Sequence, residues 1–336
     1  MKGTLFPRLA FSPDETHASW AGRLAAFHTG GGVDAFLRDL KIPVMAFNHG
    51  YPEFVRKLCA IADQDAEPVL RNTILRTSPY SYSLNTEKFS SGMLIGKLTK
   101  FCPKCLLEDD AKGGRPHSQR REQLAWRLTS VHVCPVHHIF LKTDNLMSTG
   151  KPDLSNRVPL CTEGLTILSD HGETVIPSPL QSYLLGRIAG EKGPDWLDGQ
   201  GMDQAARATE MLGAVLEFGY RADIDNLSIE DWHRAACVGW EFTSLGEPGL
   251  RTAFQMLQAE TPKATDARDR NPGYRFGRLY HWLALKTNHD DRGPIRDVLR
   301  KHIVATEPVT TERKILGVMV RRNHIRHPKR LKPARR

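Results

Sequence analysis

The first sixty residues place apolar side chains with the period of a helix. In DETHASWAGRLAAFH (14–28) apolar residues fall at i, i+4 and i+7, which predicts an amphipathic helix with Asp14 available as its cap. The glycines of HTGGG (28–32) predict its end. Similar patterns predict short helices over 33–40 and 51–62. The chain therefore begins with an N-terminal helical region.

Residues 72–100 are polar and only weakly periodic, so they predict no long helix. Within them, SGMLIGKLTK (91–100) superficially resembles a phosphate-binding loop. It has three residues between Gly92 and Gly96, where that loop needs four, and Leu98 stands where a Ser or Thr should bind magnesium. The sequence therefore predicts no nucleotide-hydrolysis motif.

A run of short helical patterns extends from 178 to 310. Ser178 and Pro179 form a typical cap and first helical position. Ser228 and Asp231 have the spacing of a capping box, with Asp in place of Glu. Because Gly, Pro and Asn separate the patterns, the run predicts a compact bundle rather than a coiled coil.

The composition is that of a globular protein, with 336 residues, 40% hydrophobic and 25% charged. No apolar run approaches the ~18 residues that would span a bilayer, and the N-terminus lacks the apolar centre of a signal peptide. We therefore expect a cytoplasmic protein with no membrane partner. In that compartment thiols stay reduced, so clustered cysteines indicate metal binding more than disulfides.

The formal net charge of +9 is concentrated at one end of the chain. RRNHIRHPKRLKPARR (321–336) contains eight Arg and Lys residues and no acid, so the rest of the chain is nearly neutral. This composition is typical of a disordered tail that attracts phosphate backbones; a merely solubilising end is the alternative. The candidate nucleic-acid contacts in the tail are Arg321, Arg322, Arg326, Lys329, Arg330, Lys332, Arg335 and Arg336.

Four potential metal ligands occur in two matched pairs. Cys102, Cys105, Cys134 and His137 form C-x2-C-x28-C-x2-H. Two residues between ligands let a tight knuckle aim both side chains at one ion, and such pairs suit a tetrahedral zinc site. The sequence therefore predicts one structural Zn2+, with His138 as the alternative to His137.

Other chemistries for these cysteines fit the chain less well. A redox C-x-x-C belongs between a strand and a helix of a thioredoxin-like unit, and no alternating strands and helices are predicted. A catalytic zinc leaves one coordination position open, whereas a fourth candidate ligand is present here. The zinc deaminase pattern needs H-x-E upstream and Pro directly before C-x-x-C, but Phe101 precedes Cys102. We therefore expect a closed site and no enzyme.

With the knuckles assigned, their flanks resemble the TniQ family. FCPKCLLEDD (101–110), the spacing from Arg121 to Trp126, and VCPVHHIFL are similar to the family's zinc motif. DETHASWAGRLA resembles its opening segment. The resemblance is clearest over about 5–145, and is looser over 200–305, where FGRLYHWLAL resembles the helical part of longer members.

The resemblance implies a non-catalytic accessory protein of transposition that acts in target-site selection. It implies DNA and an AAA+ transposition ATPase as partners. A transposase and a CRISPR effector complex are further candidate partners. Arg120 and Arg121, between the knuckles, are candidate nucleic-acid contacts; a solvated helix face is the alternative. A free-standing zinc-containing DNA-binding regulator and a zinc hydrolase are the competing hypotheses.

Two features depart from the family pattern. The stretch LKTDNLMSTG after the second knuckle has no cysteine, where members often carry a second pair. The chain ends near the point where longer relatives begin a helix-turn-helix. We therefore expect a single zinc, and the resemblance does not imply sequence-specific DNA reading.

Together these patterns predict a mainly α protein, in which a small zinc-knuckle module lies between an N-terminal helical region and a C-terminal bundle of short helices. The expected divisions are a TniQ-like domain over 1–145 with knuckles at 101–141, a connecting segment over 146–177, a helical domain over 178–310, and a basic tail over 311–336.

Overall fold

The computed structural model confirms a mainly helical fold with a few short strands. Among the residues it describes, no helix combines the length and apolar character needed to cross a bilayer. The described residues are 5–96, 98–144, 162–169, 173–261, 272–285, 292–307 and 314–320.

Short α-helices account for most of the described chain. In chain order they are α1 His17–Thr29, α2 Val33–Asp39, α3 Val44–Asn48, α4 Pro52–Ala62, α5 Ala66–Arg71, α6 Pro103–Asp110, α7 Thr162–Ser169, α8 Pro179–Ile188, α9 Asp195–Asp198, α10 Met202–Glu217, α11 Ile229–Thr243, α12 Glu247–Glu260, α13 Pro272–Ala284 and α14 Ile295–Thr306. The strands are β1 Leu75–Arg76, β2 Ser81–Leu84, β3 Glu87–Ser90, β4 Thr99–Phe101, β5 Lys142–Asp144, β6 Lys314–Ile315 and β7 Val318–Met319.

The first helix begins later than its sequence pattern predicts. Thr16, not Asp14, is the N-cap, and its hydroxyl accepts a hydrogen bond from the Ser19 amide. Glu15 is instead bridged to Gln123 in an antiparallel pairing, which holds the preceding backbone extended. The end is as predicted, because Gly30 adopts a left-handed conformation with φ 68°.

The weakly periodic stretch after 72 contains an antiparallel sheet, ordered β1-β2-β3. Tyr82 lies opposite Phe89, and their rings stack with centroids 6.5 Å apart. The sheet contacts the helical bundle, since the Ser90 amide donates to the Asp203 carboxylate at 2.8 Å and Arg187 donates to Glu87 at 2.8 Å. Strands of two to four residues are too short to give a clear period of two in the sequence.

One hydrophobic core extends across the predicted connecting segment. Trp126 and Leu141 of the knuckle region share a buried cluster with Leu180, Leu184 and other residues of the helical bundle. A buried Gln181 joins the two parts, as its side-chain oxygen accepts from the amides of His132 and Val133 at 3.0 and 3.1 Å. Residues 145–161 and 170–172 lie outside the described residues, and the domain boundaries stay predictions.

Capping in the bundle follows the sequence pattern. The Ser178 hydroxyl accepts from the Gln181 amide, and Pro179 opens α8. Ser228 and Asp231 form a reciprocal capping box at the start of α11. A second apolar cluster joins α10 to α12, α13 and α14.

Helices α10 and α11 cross at two glycines. A β-carbon at Gly213 would lie 1.8 Å from the Ala235 carbonyl oxygen, and one at Gly239 would lie 1.9 Å from the Thr209 carbonyl oxygen. Beside this crossing, the hydroxyls of Thr209 and Thr243 hydrogen-bond at 2.8 Å. Only hydrogen fits at either glycine, so the two helix backbones are in direct contact.

We expect Gly213→Ala to lower the free energy of unfolding by about 1–3 kcal/mol, because the added methyl group forces the two helices apart. Denaturant unfolding followed by circular dichroism measures the change. Gly92→Ala is the matched control, since its β-carbon would meet the Ser90 hydroxyl at 3.6 Å, an ordinary contact. Equal effects of the two substitutions would contradict this account of the crossing.

Candidate metal centre

The first knuckle is the N-terminus of helix α6. Cys102 is the N-cap residue with an extended backbone, Pro103 opens the helix, and Cys105 lies in its first turn. This places both sulfurs beside the positive end of the helix dipole, which favours negative charge on sulfur. Leu106 belongs to the central core, and the partly buried Leu107 packs against it. Both side chains therefore anchor the helix beneath the knuckle.

The second knuckle is a tight turn between bridged residues Val133 and Phe140. The Cys134 amide donates to the Ile139 carbonyl at 2.8 Å, and the His138 amide donates to the Cys134 carbonyl at 3.0 Å. His138 has φ 53°, and this left-handed residue completes the turn. Its ring is exposed, whereas His137 joins the sulfur cluster.

The four predicted ligands converge on one point. Their ligand atoms all lie within 4.8 Å of one another. His137 Nδ1 lies 3.5, 3.2 and 3.8 Å from the sulfurs of Cys102, Cys105 and Cys134, and the last two sulfurs are 3.6 Å apart. A tetrahedral zinc ion with sulfur at about 2.3 Å and nitrogen at about 2.0 Å would space its ligands about 3.5–3.8 Å apart. The cluster can therefore hold a metal ion.

The charges of the sulfurs favour a cation at this point. Hydrogen bonds from Cys102 and Cys105 lower the pKa of the Cys134 thiol to about 2. The hydrogen bonds that Cys105 shares with Cys102 and Cys134 raise its own pKa. Without a metal, one thiolate is thus stabilised by two neighbouring thiols, and a bound cation would replace their protons.

Two side chains outside the ligand set orient the ligands. His137 Nε2 lies 2.9 Å from Glu108 Oε1, so this nitrogen donates to the carboxylate and Nδ1 faces the sulfurs. Burial lowers the pKa of His137, but the hydrogen bonds to Glu108 and Cys134 outweigh burial and raise it. Gln123 Nε2 donates to Cys105 Sγ at 3.4 Å. Such partners fix the ring orientation of metal-binding histidines.

The acids next to Glu108 bind the arginines between the knuckles. Asp109 is buried, and it accepts from the Arg121 amide and its guanidinium at 2.9 Å each. Arg121 also donates to the Ser12 hydroxyl at 2.7 Å. Asp110 accepts two hydrogen bonds from the buried Arg120 guanidinium, at 2.8 and 2.7 Å. Helix α6 therefore holds the intervening segment with two acids of its last turn, Asp109 and Asp110.

A buried ion pair joins the N-terminal helix to the same segment. Arg23 donates from Nε to Glu15 at 2.7 Å, and both side chains are almost fully buried. Ser19 links the pair to the next segment, because its hydroxyl donates to Glu15 and accepts from the Glu122 amide, each at 2.8 Å. The Thr16 amide donates to the Glu122 carbonyl at 3.1 Å. The N-terminal motif and the knuckle region thus form one polar network.

Sequence reasoning did not single out Lys100. Its ammonium group is buried, and it donates to the carbonyls of Leu128, Thr129 and Val131, the last two at 3.0 and 2.6 Å. Burial lowers the pKa of Lys100 to about 7, while three accepting carbonyls favour its charged form. This lysine fixes the loop that leads to the second knuckle. In the sequence nothing distinguishes it from a surface lysine.

The other cysteines that the structure describes, Cys59 and Cys237, lie outside this centre. Cys59 is buried in the N-terminal core, and burial raises its pKa to about 12, which disfavours the thiolate form. Cys237 lies on α11, outside the cluster. Cys161 lies outside the described residues.

The predicted nucleic-acid contacts fall into two groups. The eight cations of 321–336 lie outside the described residues. Arg120 and Arg121 are paired with Asp110 and Asp109, and Arg120 is buried. These ion pairs favour a structural role for both arginines, and contact with nucleic acid through them stays a prediction.

Comparison with protein families identifies the region that contains this centre. The family model TniQ matches residues 6–141, so this region of the chain is similar to the TniQ family. TniQ is a non-catalytic accessory domain of transposition and implies a role associated with target selection. Comparison with curated proteins gives no match.

We expect Glu108→Ala to weaken metal binding about 10–100-fold, because His137 loses the carboxylate that orients its ring. Competition against a chromophoric chelator measures the affinity. Glu53→Ala on helix α4 is the control, since this acid lies in the first turn of a helix outside the cluster. An unchanged affinity in Glu108→Ala would show that the carboxylate does not support the site.

Proposed function

We propose that this protein is a non-catalytic transposition accessory protein that acts in target-site selection in the cytoplasm. In this role it links DNA, or a target-recognition complex, to an AAA+ transposition ATPase. The observation that carries the proposal is the TniQ domain over residues 6–141 with its set of four converging ligands. The proposed protein partners also include a transposase or a CRISPR effector complex.

The metal in this proposal is one structural Zn2+. Three sulfurs and one imidazole nitrogen form a soft donor set, which zinc prefers over magnesium or calcium. The four protein ligands would fill a tetrahedron and leave no open position for substrate. The ion would therefore supply folding free energy, which amounts to roughly 10–16 kcal/mol in small zinc peptides.

The ligand geometry suggests how such an ion would serve an adaptor. Helix α6 starts at two ligands and ends at Asp109 and Asp110, which bind Arg121 and Arg120. Arg121 in turn reaches Ser12, just before the N-terminal helix. Residues 119–127 are buried or half-buried, so fixing the knuckle fixes the largely exposed N-terminal segment, residues 6–14, that contacts them. We assign the docking of a protein partner to this TniQ surface.

DNA contact is assigned to the basic tail, residues 321–336. Its eight cations would neutralise up to about eight phosphates, and released counterions make such binding steeply salt-dependent. This contact carries no sequence information, because phosphates position a protein without specifying a base sequence. Target choice in this proposal therefore comes from a partner.

The zinc assignment predicts one zinc per chain by elemental analysis. We expect Cys134→Ser to lose the metal and the cooperative thermal unfolding of the TniQ domain, since a structural ligand is removed. We expect His137→Cys to keep both the metal and the cooperative unfolding, because four thiolates still form a zinc-binding set. Cys237→Ser is the matched control outside the cluster. A folded Cys134→Ser protein without metal would contradict a structural role.

The adaptor role predicts that the full chain retains the AAA+ ATPase of its own mobile element in a pull-down. Removal of 321–336 should also make the salt dependence of duplex DNA binding less steep. The slope of the logarithm of the DNA-binding constant against log salt should decrease in magnitude by up to about seven, because eight phosphate contacts are lost. ATPase retention without DNA should survive this truncation, since docking is assigned to the TniQ surface. Failure to retain the ATPase both with and without DNA would exclude the role.

A further inference from the structure

A cleft of about 500 Å³ lies in the helical part of the chain, far along the sequence from the metal centre. It is formed by the residues that follow α10 and by helix α13. Among the described side chains that line it are two tyrosines, two arginines and one histidine, and none of these described side chains is a carboxylate. The lining residues are Tyr220, Arg221, Gly273, Tyr274, Gly277, Arg278 and His281.

The shape of the cleft depends on a glycine. Gly277 has φ 45° and ψ −126°, which divides α13 into two short helical stretches. A β-carbon at Gly277 would lie 1.7 Å from the Tyr220 carbonyl oxygen, so the backbones meet there. The Arg278 amide donates to that carbonyl at 2.9 Å. This backbone contact holds Tyr220 beside both parts of α13.

The charge of the cleft is positive and uncompensated within the part of the chain that the structure describes. The side chains of Arg221 and Arg278 are exposed, and neither forms an ion pair there. Other arginines of the bundle behave differently, since Arg187 pairs with Glu87 and Arg234 pairs with Asp231. Two guanidinium groups are thus available to an anion, with the exposed ring of His281 at the same cleft.

Aromatic faces accompany these charges. The rings of Tyr220 and Tyr274 are half-buried, with centroids 5.9 Å apart and planes inclined by 60°. The Arg221 guanidinium lies 5.2 Å from the centroid of the Tyr220 ring. Cationic groups combined with aromatic rings are the means by which proteins bind the backbone and bases of unpaired nucleic acid.

We propose that this cleft binds a single-stranded polynucleotide, with phosphates on Arg221 and Arg278 and a base against Tyr274. A duplex would present only its phosphates here, because its stacked bases cannot reach a half-buried ring in a concave site. The choice of nucleic acid over another polyanion rests on the proposed function. A target-selection protein would thereby contact a strand opened at its target.

Fluorescence anisotropy with the purified full chain tests this site. The probes are labelled oligothymidine, oligouridine and a duplex of the same length, at one fixed salt concentration. We expect Arg221→Glu, Arg278→Glu and Tyr274→Leu each to weaken single-strand binding about tenfold or more, with little change for the duplex. Arg38→Glu is the matched control, as it makes the same change of charge on the exposed face of α2.

A second measurement locates the strand directly. An oligonucleotide carrying 5-iodouracil should crosslink under ultraviolet light to the peptide that contains Tyr220 or Tyr274, as identified by mass spectrometry. Crosslinks confined to 321–336, an equal loss of affinity in Arg38→Glu, or equal displacement by duplex would each overturn the proposal. Tighter binding of oligothymidine or of oligouridine would support it and identify the strand as DNA or RNA. The assay needs no ATPase, so its failure is distinguishable from failure of the adaptor role.

Discussion

Convergence of four potential ligand atoms is the constraint on which the TniQ-like region, residues 6–141, depends. Cys102 and Cys105 come from a helix N-terminus, whereas Cys134 and His137 come from a turn, and 28 residues lie between Cys105 and Cys134. Holding three sulfurs and an imidazole within 4.8 Å fixes the separation of these two segments. The residues between them must then form a closed loop of set dimensions, and their polar groups must find partners within it.

The loop meets this requirement with charges supplied by helix α6. Glu108 orients His137, while Asp109 and Asp110 bind Arg121 and Arg120. Buried charges are costly unless they are paired and hydrogen-bonded, so these contacts act as matched sets. The buried Glu15–Arg23 ion pair stabilises the N-terminal helix in the same way. Loss of Arg121, of Asp110 or of either member of the Glu15–Arg23 pair removes an ion-pair partner from a buried charge, so its effect is expected to reach beyond the knuckle.

The candidate metal centre and the aromatic cleft differ in how their polar and charged side chains are paired. The centre lies in a core shared with α8, α10 and α11, where Gln181 and Lys100 satisfy the backbone of the loop before Cys134. Its side chains are engaged with one another. The cleft lies where α13 meets the end of α10, and its guanidinium groups face outward. We therefore assign stability to the first site; at the second, Arg221 and Arg278 form no ion pair within the described residues, which is the basis for proposing it as a ligand site.

The sequence by itself indicated the four residues that converge, the similarity to TniQ over residues 6–141, and most helices. Paired C-x2-C and C-x2-H spacings, the Ser178 and Ser228 caps, and helical periodicity are local signals, so each can be recognised within a few residues. The roles of Asp109, Asp110, Lys100 and Gln181 were decided only by the tertiary structure. Each acts on a partner between 10 and 50 residues away, and no local pattern encodes that distance. The short β1-β2-β3 sheet and the approach of Gly277 to Tyr220 depend likewise on contacts between separate segments, because their conformations are stabilised by packing rather than by local propensity.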